Sequence, residues 1–269
     1  MKKKIIVVYN PQKEDVNKIL SLLKKKLNKY KLKFCSSLKV TKEDCKGDLL
    51  LTVGGDGTLL RVGHYVTENS VAVLGINLGR LGYLAEFKIN EVFTAVEKFF
   101  NGEILPQKRS VLEVKFRNKV YYAINDCVIK ALSAKVCCIE LIIDGKKIVE
   151  IIGDGIIVAT PTGSTAYSLA SAGSIVEPET EVLLITPISP HTLSIRPIIV
   201  SSNKKIELFI PKFKSNQNLI LSLDGQRDFK LKQNDKVIIT TSSKKMLFIT
   251  NPKKSFFDIL TQKLLWGKR

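Results

Sequence analysis

Residues Leu49–Leu60 read LLLTVGGDGTLL: a fully apolar run delivers the chain into Gly54, Gly55, Asp56, Gly57 and Thr58, and an amphipathic stretch from Thr58 to about Val66 follows at once. An apolar run too short for a helix, then a glycine turn, then helical periodicity marks a buried strand feeding a helix. The pattern recurs on both sides. Lys4–Tyr9 is an apolar strand, and Glu14–Tyr30 places Val16, Ile19, Leu20, Leu22, Leu23 and Leu27 on one helical face. Val71–Ile76 is another apolar run, ending in the glycine-punctuated GINLGRLGYLAEF of Gly75–Phe87. Strand, turn and helix in succession predict a parallel α/β domain over residues 1–100, with ligands at the carboxyl ends of its strands.

After Gly102 the pattern changes to short β-rich runs separated by turn residues, among them 111–116, 120–124, 128–131, 139–143, 146–151, 156–159, 182–187, 206–210, 219–223 and 236–241. Asp144-Gly145 is a hairpin signal between two of them. These runs predict an all-β sandwich-like domain over 101–251. The tail SFFDILTQKLLWG is amphipathic again, so residues 252–269 are expected outside the β domain.

Composition narrows the function. With 45% hydrophobic residues and 25% charged, 269 residues suffice for two packed domains. The amino terminus, MKKKIIVVYNP, has too short an apolar run for a secretion signal, and no apolar stretch approaches the roughly 18 residues of a membrane span. Five cysteines without C-x-x-C spacing suggest neither a disulfide framework nor a zinc site, and fit reduced thiols in a cytoplasmic protein. The net charge of +18 makes a polyanion a competing partner. Yet seven arginines against thirty-six dispersed lysines lack the guanidinium forks that read bases, so the surface is expected to bind no nucleic acid.

The chemistry concentrates in four places. In Gly54–Thr58, glycines let backbone N–H groups approach a polyphosphate, and the helix amino terminus adds donors favourable to anions. Asp56 in that loop would repel phosphate, so it needs another use. It can accept a proton from an attacking alcohol, help hold Mg²⁺ against phosphates, or cap the helix. Gly153–Gly173, GDGIIVATPTGSTAYSLASAG, places Asp154 in an acidic turn and Thr162, Gly163, Ser164 and Thr165 at a helix entrance, with Tyr167 offering a ring. Asn125 and Asp126 between β runs, and Asp224-Gly225-Gln226, read either as polar ligand contacts or as turns. The G-x-x-x-x-G-K-[ST] and G-x-G-x-x-G motifs are absent.

Together these blocks resemble the NAD kinase family through most of the chain. GGDGT at Gly54–Thr58 alone is also similar to loops of phosphofructokinases and of diacylglycerol and sphingosine kinases. The combination with GINLGRLGYLAEF, Asn125-Asp126, DGIIVATPTGSTAYSLASAG, PHTLSIRP at Pro190–Pro197, SLDGQ at Ser222–Gln226 and the closing FFDILTQKLLWG is specific. The resemblance implies transfer of a phosphoryl group from ATP or polyphosphate, with Mg²⁺, to the 2′-hydroxyl of the adenosine ribose of NAD, at a site between the two domains. It implies a homodimer or homotetramer and no dedicated protein metal site. By position, Asp56 looks like the proton acceptor, Gly54, Gly55, Gly57 and Thr58 the donor loop, and Gly57 also a neighbour of the substrate. Asn125 and Asp126 look like the ribose-binding pair, and Asp154 the acid near the nicotinamide end. The loop Thr165, Ala166, Tyr167, Ser168, Leu169 and Ala170 would wrap the adenosine, with Gln226 and Tyr83 as further contacts. Asp126 stands where many relatives carry glutamate.

Overall fold

The computed structural model describes residues 2–79, 82–132, 136–212 and 218–265. Arg80 and Leu81 of the glycine-punctuated stretch, and Trp266 and Gly267 of the tail, lie outside them. The chain divides into two units, residues 1–108 with 245–269, and residues 109–244.

The first unit begins β1 (Lys4–Tyr9), α1 (Val16–Lys26), β2 (Lys31–Ser36), β3 (Leu49–Gly54), α2 (Asp56–Asn69), β4 (Val73–Asn77), α3 (Ile89–Phe100) and β5 (Gln107–Arg109). Strands β1 to β4 are parallel in the order β2-β1-β3-β4. Such strands are covered on both faces, which is why β1 and β3 are continuous apolar runs rather than alternating ones. A short strand, Met246–Phe248, joins beyond β4 and carries β5 at its far side, so the chain re-enters this unit at Lys245 rather than near residue 252. The core gathers Ile5, Val7, Leu49, Leu51, Leu74 and Ile76 from the sheet with Leu23, Val92 and Val96 from the helices and Leu27 from the end of α1. Helix α1 is shorter than its apolar periodicity: Asp15 is left-handed at φ 58°, and after Lys24–Lys26 the chain turns into the lysine-rich edge strand β2.

The second unit is antiparallel. One sheet holds β6 (Leu112–Phe116), β7 (Lys119–Ala123), β9 (Cys137–Ile143), β10 (Lys146–Gly153), β14 (Ile206–Phe209) and β17 (Lys236–Thr241). The other runs β13-β12-β11-β8-β15-β16, with β8 at Asp126–Ala131, β11 at Gly155–Ala159, β12 at Val182–Ile188, β13 at Ile198–Ser201, β15 at Leu219–Leu223 and β16 at Arg227–Leu231. Inward residues of both sheets, including Leu112, Val114, Ile139 and Leu141 from one and Cys127, Ile129, Val158 and Leu221 from the other, share one core, which makes the unit a sandwich. The opposite face of the second sheet buries Val128, Ile157, Ala159 and Leu184. Asp126 and Val128 share that face because side chains two apart point the same way. The chain ends in β18 (Met246–Phe248) and α5 (Phe256–Leu264), and α5 is capped reciprocally by Ser255 and Asp258.

Candidate active site

Strands β3 and β4 are parallel neighbours with Gly54 opposite Asn77, so the turns leaving them lie side by side at the carboxyl edge of the sheet. Asp56 is the first residue of α2, two positions earlier than periodicity places the helix start. Its carboxylate does not cap that helix. Oδ2 accepts the backbone N–H of Tyr83 at 2.8 Å, and Oδ1 accepts those of Leu84 at 3.0 Å and Ala85 at 2.9 Å. The acid in the glycine turn therefore braces the neighbouring loop. Each carboxylate oxygen accepts along about two directions, so Oδ2 keeps one for a further donor.

The glycines here divide by need. A Cβ on Gly82 would collide with Asp56 Oδ1, and one on Gly54 would collide with Thr58 Oγ1, so both are required by the fold. Gly55 and Gly57 have nothing described within 4 Å of where a Cβ would stand, and neither has a positive φ. Packing among the described residues gives no reason for glycine at 55 or 57.

Tyr83 is half-buried, with the Lys263 ammonium of α5 4.5 Å from its ring centroid. Its hydroxyl is buried without a partner among the described residues, and burial, with a smaller effect from the Asp56 charge, raises the phenol pKa. Buried Glu86 accepts the Asn251 N–H at 2.8 Å, and its carbonyl accepts Lys254 Nζ at 2.6 Å, fastening the returning chain beside the loop.

In the second unit, Asn125 and Asp126 fall where β7 gives way to β8. The Asn125 carbonyl accepts the Thr160 N–H at 2.9 Å and its own N–H reaches Asp224 at 2.7 Å, so its backbone is occupied. Its side-chain Oδ1 is buried with no partner among the described residues, and so is Thr162 Oγ1. Orphaned buried polar groups are costly, at about 1–3 kcal/mol each, so each calls for a partner such as water or a ligand. In sequence Thr162 reads only as part of a helix entrance; its buried, unpartnered hydroxyl adds it to the candidate site residues. Gly163 packs directly on the Asn125 backbone, where a Cβ would overlap the carbonyl.

Asp126 is 5% exposed, and burial, reinforced by the nearby Asp224 charge, pushes its carboxyl up to about 7 against a backbone hydrogen bond from Tyr167. The segment after Pro161 is a 3₁₀ turn at Thr162–Thr165, then Ala166, then the single helical turn α4 (Tyr167–Ala170). Thr165, Ala166 and Leu169 are partly exposed and Tyr167 and Ala170 exposed, while Ser168 is buried with its hydroxyl 2.9 Å from Thr186 Oγ1. Asp154 is exposed between β10 and β11. It borders a pocket of about 700 Å³ that Tyr167, Ala170, Ile188 and Arg196 also line. Gln226 is exposed at the end of the β15–β16 turn. Among the described residues no three His, Cys, Asp or Glu side chains are grouped to hold a metal ion.

A parallel α/β unit with an acid-bearing glycine turn, and a β-sandwich with unpartnered polar groups beside a small-residue turn, define a two-unit nucleotide kinase architecture. The model of the ATP-NAD kinase N-terminal domain matches residues 5–104, and that of the ATP-NAD kinase C-terminal domain matches residues 124–251. The NAD kinase of Aquifex aeolicus is 40% identical over 226 residues, covering 82% of each chain. Among solved structures, an Archaeoglobus fulgidus NAD kinase in complex with ATP aligns with TM-score 0.80 and 25% identity over 96% of this chain and 99% of its own. A yeast NADH kinase complexed with NADH shares the fold, with TM-score 0.84 and 24% identity over 100% of this chain and 89% of its own. The chain belongs to the NAD kinase family. No helix among the described residues is long and apolar enough to cross a membrane.

Proposed function

We propose that this chain phosphorylates the 2′-hydroxyl of the adenosine ribose of NAD, forming NADP, with Mg·ATP as donor substrate. The observation that carries the reading is the Asp56 carboxylate, anchored by three backbone N–H groups while one direction on Oδ2 stays available for an alcohol proton. Three backbone hydrogen bonds orient the carboxylate before substrate arrives, and positioning is where phosphoryl transfer gains most of its rate.

In the first unit, Gly55, Gly57 and the amino terminus of α2 receive the donor phosphates, whose charge the accompanying Mg²⁺ neutralises. Asp56 orients the 2′-hydroxyl and accepts its proton as the oxygen–phosphorus bond forms and the bond to the leaving nucleotide breaks. In the second unit, Asn125 Oδ1, Thr162 Oγ1 and the Asp126 carboxylate supply acceptors for an adenosine moiety, which carries an exocyclic amine and ribose hydroxyls. Tyr167 offers its ring, and Asp154 stands at a pocket open to the rest of the dinucleotide. The thiols, buried except for half-buried Cys35, fit a reducing cytoplasm. A homodimer or homotetramer is the assembly consistent with the family.

The test is purified protein with NAD, Mg²⁺ and ATP, with NADP read by an NADP-specific dehydrogenase. NADP formed in proportion to enzyme supports the reading. No NADP from NAD with ATP or polyphosphate, and no NADPH from NADH, would reassign the chain to another alcohol.

A further inference from the structure

Two hairpins of the sandwich close on the same dipeptide. Asp144-Gly145 joins β9 to β10 with φ of 50° and 82°, and Asp224-Gly225 joins β15 to β16 with φ of 53° and 62°. Both dipeptides are left-handed at both positions, although the first is a complete two-residue turn and the second opens a three-residue turn that Gln226 completes. The turns need the backbone conformation alone, so the side chains are free to differ in use.

They do differ. The Asp144 carboxylate is a surface group that accepts Lys204 Nζ at 2.8 Å and the Lys205 N–H at 3.0 Å. The Asp224 carboxylate turns inward. Its Oδ2 accepts the Ile124 N–H at 2.8 Å, and its Oδ1 accepts those of Asn125 at 2.7 Å and Asp126 at 3.1 Å. Its own backbone N–H donates to the Asp126 carbonyl at 3.0 Å. Three consecutive backbone donors converging on one point form a concavity that suits an anion. Here the chain fills it with its own carboxylate.

The consequence falls on the neighbouring side chains. Three amides held at one point fix the backbone at the β7–β8 corner, which sets where the Asn125 amide and the Asp126 carboxylate emerge. The Thr160 N–H and Gly163 hold that corner from the other side. Asp224 also places a second carboxyl near Asp126, an arrangement that opposes ionisation and costs stability. A turn aspartate whose only task was the hairpin would point outward, as Asp144 does.

We infer that Asp224 is a positioning residue for nucleotide recognition: it touches no substrate, and its carboxylate sets the corner from which Asn125 and Asp126 meet the adenosine moiety of NAD. The inference rests on the proposed NAD kinase reading. The experiment is steady-state kinetics of full-length Asp224→Asn, with Asp144→Asn as the matched turn control. The amide keeps one acceptor but sets an NH₂ against one of the three donors. The expected result is a KM for NAD raised at least about tenfold, about 1.4 kcal/mol, with kcat at saturating NAD within about threefold of wild type, and with Asp144→Asn unchanged in both.

A role confined to folding would lower the active fraction, and so apparent kcat, at constant KM, and that result overturns the inference. If Asp224→Asn does not fold, Asp224→Glu, which keeps the charge and shifts the oxygens by one methylene, is assayed with the same expectation. If neither folds, Asp224 serves stability and the inference is overturned. Wild type without turnover of NAD would defeat the functional reading itself, whereas wild-type turnover with an unchanged KM in the variant defeats only this one.

Discussion

Asp56 Oδ2 accepts the backbone N–H of Tyr83 at 2.8 Å, a bond that joins the turn after β3 to the loop after β4. With the Leu84 and Ala85 bonds to Oδ1, it makes the acid in the glycine turn a bracket for the adjacent loop. Asp56→Ala leaves three donors without their partner. Chemical denaturation should show a loss of about 3 kcal/mol for Ala and about 1 kcal/mol for Asn, which retains one acceptor oxygen. Equal stability of wild type and Asp56→Ala would show that the loop does not depend on the bracket.

The glycines of the same turn should separate by assay. Gly54→Ala forces a Cβ into Thr58 and is expected to lower stability by about 1–3 kcal/mol. Gly57→Ala meets open space within a helix and should leave the melting temperature unchanged or slightly higher. The same substitution should raise the KM for ATP at least about tenfold, because the methyl occupies the approach of the phosphates. A normal KM would move the donor away from this turn.

Buried Asp126 and half-buried Asp224 give a pH dependence of defined sign. Asp126 is pushed up to about 7 and Asp224 to about 6, in both cases chiefly by burial. Between the ordinary carboxylate range and pH 7 the folded chain holds protons that the unfolded chain has released, so stability falls as pH rises through that window. Asp44, held at about 2, and the lowered Glu91 and Glu207 act only below about 4.5 and in the opposite direction. Without ligand, the melting temperature at pH 5.5 should exceed that at pH 8 by about 3 °C or more. Asp126→Asn should flatten the difference, and a rise in stability from pH 5.5 to 8 would contradict the assignment.

Tyr83 carries a buried hydroxyl without a partner among the described residues. Tyr83→Phe removes that desolvated group and keeps the ring against Lys263, so a urea midpoint equal to or above wild type is expected. A loss above about 1 kcal/mol would show that the hydroxyl is bonded in the native state.

The parallel strands and the long sandwich strands were legible because burial on both faces, or regular alternation, writes itself into the residue pattern. The strands that periodicity missed are β2, β5, β13, β16 and β18. The first four are sheet edges and β5 and β18 have three residues each, so lysine-rich half-exposed runs such as KLKFCS and RDFKL carry little pattern to read. At the site, Asp56 was legible as an acid with no use in a bare phosphate loop. Its bond to Tyr83 was not, because it depends on two turns being neighbours across a parallel pair. The part played by Asp224 was hidden for a related reason: Asp224-Gly225-Gln226 reads either as ligand contacts or as a turn, and its bonds to residues 124–126 depend on two corners about a hundred residues apart meeting.

The central claim is that Asp56 acts on the 2′-hydroxyl of bound NAD, and Asp56→Asn measures it most directly. Its NAD dissociation constant by calorimetry and its rate of NADP formation from NAD and Mg·ATP are compared with wild type. The account predicts affinity within about threefold and kcat reduced about 10²–10⁴-fold, the range for loss of a proton acceptor. Turnover equal to wild type would contradict it and take the proton to another group.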